Sequence, residues 1–114
     1  MASDCLFCRM ASGEIPVEPV HRDDLVFAIR DINPQAPTHI LVMPVVHVAS
    51  AAELTEADGP LLGRLFEVAA SIARAEGLDR GFRLVTNTGP EAGQSVAHLH
   101  VHLLGGRPMA WPPG

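Results

Sequence analysis

The segment "SVAHLHVHLLGG" constrains this chain more than any other stretch, because His98, His100 and His102 take every second position while Leu99, Val101 and Leu103 fill the gaps. Strict alternation is the period of a β-strand, whose successive side chains leave opposite faces. The segment therefore predicts a strand with three imidazoles in a row on one surface, neighbours about 7 Å apart, and three apolar side chains turned toward a core. Histidine is only moderately buried as a rule and titrates near neutrality. A solvated sheet face would accommodate one such residue; three in register point to chemistry.

The text around this strand predicts its partners. "CLFCRMASGEIP" reads as a short helix ended by Gly13, with Pro16 beyond it as a stop. "VEPVHRDD" and "LVFAIRDI" read as a hairpin turning at Arg22, Asp23 and Asp24, and "HILVMPVV" as a buried strand following the rigid loop "NPQAP". From Thr55 the period changes: Leu61, Leu62, Leu65, Val68, Ala69 and Ile72 recur at helical spacing up to a stop at Gly77. "FRLVTN", the glycine-rich loop "TGPEAGQSVA", the histidine strand and the proline-rich tail "RPMAWPPG" complete the chain. Strands without regular βαβ alternation, plus one long helix, predict an α+β fold with a mainly antiparallel sheet. At 114 residues, 47% of them hydrophobic, residues 1–114 suit one domain.

Eight basic against thirteen acidic residues give a net charge of -5, which opposes sequence-independent attraction to nucleic acid. Ile40 to Val46, the longest apolar run, is broken by Pro44 and falls far short of the roughly 20 residues a membrane span needs. Asp4 stands before a very short apolar stretch where a secretory signal would carry basic residues and then a long one, so the chain reads as cytoplasmic. Positive mean hydropathy on a small chain leaves apolar surface for a partner subunit, and a homodimer is expected.

Neutral imidazole is a competent nucleophile toward phosphorus at pH 7, and a phosphorylated imidazole is reactive enough to be hydrolysed in turn. His100 is central, and a carbonyl of its own strand could hold one ring nitrogen and leave the other free. The preceding loop "NTGPEAGQSV" offers backbone N–H groups to a phosphate, with Gly93 permitting close approach. Cys5-x-x-Cys8 is half of a tetrahedral zinc site that His47 and His98 could complete; unpaired thiols are the alternative. By default His39 is a structural histidine at a strand start and Asp31 a turn residue beside Asn33 and Pro34.

"HLHVHLLGG" resembles the His-φ-His-φ-His-φ-φ signature, φ being apolar, of the histidine triad (HIT) family. "EIP", "DINPQAPTHILVMP" and "GFRLVTNTGPEAGQSVAHLHVHLLGGRPMAWPPG" resemble its Hint branch, the purine nucleoside phosphoramidases, over nearly the whole chain. The resemblance implies a HIT-like domain with a five-stranded sheet. It assigns His100 as the nucleophile, His102 as a donor to the phosphate, and His39 as a fourth active-site histidine that moves protons. Asn87, Gly93, Gln94, Ser95 and Val96 would line the phosphate, with Ser95 beside the leaving amine, and Asp31 would accept the ribose hydroxyls. Leu6, Phe7, Met10, Ile29 and Ile32 match the purine pocket, Ile29 standing where an aromatic residue is common. Trp111 lies in a tail, Arg107 to Gly114, that would reach the dimer partner's site. Structural zinc on Cys5, Cys8, His47 and His98 is implied, with no cofactor for catalysis.

The expected activity is hydrolysis of the P–N bond of adenosine or guanosine 5'-phosphoramidates through a nucleotidyl-histidine. Two rivals make other predictions: a metal-dependent hydrolase whose histidines activate water, and a nucleotide-binding regulatory or scaffold protein with incidental turnover.

Overall fold

Residues 4–114 are described by a computed structural model. The strands, β1 (His21–Arg22), β2 (Val26–Arg30), β3 (Thr38–Pro44), β4 (Phe82–Val85) and β5 (Val101–Gly105), form one antiparallel sheet in the order β1-β2-β3-β5-β4. A six-residue helix α1 (Leu6–Ala11) precedes it, and a seventeen-residue helix α2 (Gly59–Ala75) crosses from β3 to β4. The expected α+β fold is present. No helix among the described residues is long and apolar enough to cross a membrane.

The sheet is buried on both faces by different elements. Val26, Ala28, Ile40, Val42, Leu99 and Leu103 pack with Leu61, Leu65, Val68, Ala69, Ile72 and Ala73 of α2. Residues of opposite parity, Phe27, Ile29, Leu41 and Met43, pack instead with Phe7 of α1. Register decides which side the histidines take: His102 lies opposite Leu41 and Leu104 opposite His39, so His39 and His102 share the α1 face.

Several predicted boundaries move. β1 keeps only two residues of "VEPVHRDD" because Pro16 and Pro19 cannot donate to a ladder. The turn falls one residue later than expected, with Asp23 Oδ1 accepting the N–H groups of Leu25 and Val26. β3 ends at Pro44, as Val45 N–H turns to the Leu25 carbonyl. The helix predicted from Thr55 begins at Gly59, since Pro60 is tolerated only in a first turn; Thr55 and Asp58 instead form a capping box on a short 3-10 turn. β4 stops at Val85, short of Thr86 and Asn87.

The most consequential shift is in the histidine strand. Only Val101 onward is in the ladder, so His98, Leu99 and His100 precede it. Antiparallel continuation would set Leu99 opposite Pro44, which has no N–H to give. Leu99 N–H goes to the Val48 carbonyl at 2.6 Å, and the freed Pro44 carbonyl accepts from a histidine ring. The in-out alternation survives, but all three apolar side chains and two of the three imidazoles are buried.

Candidate active site

Each histidine has one ring nitrogen committed to a neighbour, and that commitment dictates what the other nitrogen does. His100, 4% exposed, has Nδ1 at 2.7 Å from the His98 carbonyl. A carbonyl only accepts, so Nδ1 carries the proton and Nε2 is left with its lone pair. Among the described residues no buried side-chain nitrogen lacks a partner, so this unbonded Nε2 is open to solvent. The Thr86 hydroxyl donates to the His100 carbonyl at 2.8 Å and fixes the peptide beyond the ring. Phe7 presses edge-on against both His98 and His100.

A second chain of bonds ends at His102. The backbone N–H of Gln35 donates to His39 Nδ1 at 3.0 Å, which puts the His39 proton on Nε2. That Nε2–H faces His102 Nδ1 at 2.9 Å and Asp31 Oδ2 at 3.4 Å. His102 Nδ1 therefore accepts, which puts its proton on Nε2, and the His102 and His100 rings lie 5.0 Å apart. A lone pair and an N–H donor thus stand together, as attack on a phosphate with stabilisation of its oxygens requires.

Burial, followed by the neighbouring His100 and His39, pushes His102 down from the usual 6.5 to about 4; burial also lowers His98. The unfolded chain takes up these protons near 6.5 whereas folded His102 takes its proton only near 4, so acidification favours unfolding across that window. Urea melts of metal-free protein should lose up to about 3 kcal/mol between pH 7 and pH 4 on account of His102, and His102→Gln should flatten that slope.

His98, fully buried, is turned away from this chemistry. Its Nε2–H donates to the Pro44 carbonyl at 2.9 Å, leaving the Nδ1 lone pair 3.3 Å from Cys5 Sγ and 3.4 Å from Cys8 Sγ. His47 Nδ1 lies 3.3 Å from Cys8 Sγ. These separations approach the edges of about 3.3–3.8 Å in a tetrahedral zinc site with S and N ligands. Burial and then Cys5 push the Cys8 thiol up to about 11, so two thiolates here need a cation between them. The donor set fits zinc. Asp31, His39 and His102 also converge, but Gln35 N–H occupies the His39 lone pair, and a metal on Nε2 would force two N–H groups to face each other.

Of the other predicted residues, Val96, Met10, Phe7 and Ile29 belong to one apolar cluster on the α1 face. Leu6, Ile32 and Trp111 are exposed and lie outside it. Gly93 adopts φ 90°, a conformation that favours glycine, and Ser95 and Asn87 line the same loop as exposed and half-buried residues. The Gln94 amide is used up on backbone, donating to the Ala49 and Val96 carbonyls and accepting from Gly89 N–H, so what it supplies is loop shape. Asp31 takes the turn role, one oxygen closing a turn on Asn33 N–H, while its other oxygen faces His39. Thr86, the Gln35 N–H and the Pro44 carbonyl escaped the sequence reading. Backbone donors leave no mark in side-chain pattern, and only the proline hinted that a carbonyl would be spare.

A five-stranded antiparallel sheet backed by one long helix, with a row of imidazoles whose central ring is bonded to its own backbone, defines a small α+β protein of the histidine triad kind. The chain belongs to the HIT family: the HIT domain profile matches residues 12–109. It is 50% identical to a 14 kDa zinc-binding protein of Brassica juncea, covering 97% of this chain and all of that one. It is 48% identical to the adenylylsulfatase HINT1 of Arabidopsis thaliana (98% and 78% covered) and 46% identical to a purine nucleoside phosphoramidase of Escherichia coli (96% and 92%). A HIT family hydrolase of Legionella pneumophila superposes with a TM-score of 0.94 at 50% identity, over 96% of this chain and 99% of that one.

Proposed function

We propose that this protein hydrolyses purine nucleoside 5'-phosphoramidates through a covalent nucleotidyl-His100. The observation that carries the reading is the Nδ1–H of His100 donating to the His98 carbonyl, which holds Nε2 as a free, solvent-open lone pair. In the first step Nε2 attacks the α-phosphorus, the P–N bond breaks and the amine leaves with a proton delivered through Ser95 from a relay that includes the His102 and His39 pair. Water then attacks the same phosphorus, the P–N bond to His100 breaks, and the proton of water returns to the relay. His102 Nε2–H and the loop from Asn87 to Val96 steady the phosphoryl oxygens, Phe7, Met10 and Ile29 take the base, and Asp31 the ribose. Zinc, when held by Cys5, Cys8, His47 and His98, would supply structural cross-linking only.

Exposed Phe82 on the edge strand β4 and exposed Phe66 on α2 support a homodimer. A second reading is cleavage of adenylyl sulfate, the activity named for the Arabidopsis relative. The two differ in their need for a proton, because sulfate leaves as a stable anion whereas an amine must be protonated. Assaying both substrates decides between them. Adenosine 5'-phosphoramidate is expected to turn over, and Ser95→Ala should lower that rate about 10²-fold while barely altering adenylyl sulfate cleavage. No turnover of the phosphoramidate, or equal losses on the two substrates, would count against the reading.

A further inference from the structure

The proton chain from Gln35 to His102 starts at a peptide on an exposed loop, and a loop needs something to hold it if its N–H is to dictate a ring tautomer. Arg107, two residues past β5, reaches back across that loop. Its Nη2 and Nε donate to the Gln35 carbonyl at 3.0 and 3.3 Å, while Nη1 donates to the Pro108 carbonyl at 3.0 Å. Gly106 brings the tail close: at φ +91° a Cβ there would lie 2.9 Å from Pro37 Cβ, so only glycine lets the two segments meet in this way. The loop's other fastenings are local, Gln35 Nε2 to the Asn33 carbonyl and Asn33 N–H to Asp31. Among the described residues, Arg107 makes the long-range side-chain bonds to Gln35.

We propose that Arg107 is a positioning residue: by clamping the Gln35 carbonyl it keeps the Gln35 N–H on His39 Nδ1, and so sets the tautomers of His39 and His102 from a side chain that touches neither. With that N–H withdrawn, His39 Nδ1 could carry the proton, His39 Nε2 would become an acceptor, and His102 would turn its own proton inward to meet it. The donor that His102 offers a phosphate would then be a lone pair, repelling the anion it should stabilise. The kinetic consequence rests on the hydrolytic reading above; the tautomer consequence does not.

The test uses uniformly ¹⁵N-labelled full-length protein and long-range ¹H–¹⁵N correlation of the imidazoles in the original protein, Arg107→Lys and Arg107→Ala. In the original, His39 and His102 should each show a protonated Nε2 and a bare Nδ1. In Arg107→Ala both should shift toward mixed tautomers, with kcat for adenosine 5'-phosphoramidate about ten-fold lower and KM within two-fold. Arg107→Lys, which keeps one donor for the carbonyl, should fall between and excludes a simple folding defect. Unchanged tautomers in Arg107→Ala, with only a lower Tm or a raised KM, would overturn the proposal. Absence of turnover in every protein would instead count against the hydrolytic reading, leaving the spectra to decide the role of Arg107.

Discussion

His100→Ala is expected to lower hydrolysis of adenosine 5'-phosphoramidate by at least about 10⁴-fold, roughly 5 kcal/mol of barrier, while AMP still binds within a few-fold of the original affinity. The size follows from the covalent route: no other described side chain offers an unprotonated, solvent-open nitrogen beside the His102 donor. On the covalent route the variant loses both steps, whereas the apolar cluster proposed to take the base keeps Ile29 and Met10 and loses only the edge contact of Phe7 with the His100 ring. His100→Asn sharpens the result, since its amide can still donate to the His98 carbonyl but presents nothing at the position of Nε2. Rapid quenching with labelled nucleotide should recover an acid-labile adduct from the original protein and none from either variant. A scaffold protein with incidental turnover would show the reverse, with cellular effects surviving in His100→Ala. An adduct recovered on a different residue would refute the assignment outright.

Much of this site was readable because side-chain parity was readable. The alternation from His98 to Leu103 foretold that the histidines and the apolar residues take opposite faces of the sheet, and the helical spacing of Leu61, Leu65, Val68 and Ile72 foretold the long helix that packs on the apolar one. Parity does not report where a ladder stops. That depended on Pro44, whose missing N–H ends the pairing of β3 with β5 before His100 and leaves a carbonyl for His98. Nor does parity report which nitrogen of a ring holds the proton. For His39 that is settled by a main-chain N–H four residues earlier, and for His100 by the carbonyl two residues earlier. The three imidazoles look equivalent in the text, yet their partners, a backbone carbonyl each for His98 and His100 and the His39 ring for His102, give one a lone pair at Nε2, one a donor at Nε2, and one a lone pair at Nδ1 aimed at sulfur. Such assignments live in φ, ψ and loop closure, where amino-acid identity is a weak guide.

That division of labour predicts the outcome of removing metal. The purified protein should carry one equivalent of zinc, and chelation should lower Tm by about 15 °C without abolishing turnover measured below the new transition. A helix of six residues is too short to persist by itself, so α1 depends on what fastens it. Phe7, Met10 and Ala11 pack it against the sheet, the Arg22 guanidinium donates to the Ala11 carbonyl, and the Cys5, Cys8, His47 and His98 cluster ties down its start, where Cys5 Sγ also accepts the Cys8 N–H. Free zinc at a thousand times its dissociation constant would stabilise the folded chain by about 4 kcal/mol, which for a domain of this size corresponds to that shift. Cys8→Ser should reproduce the loss and make it insensitive to chelator, and proteolysis of the chelated protein should begin within α1. Turnover should persist because zinc on His98 Nδ1 leaves the His98 carbonyl and the His100 ring bonded as before. If chelation instead stopped hydrolysis while Tm and α1 stayed intact, the metal would belong to the reaction and the histidine nucleophile would have to be abandoned.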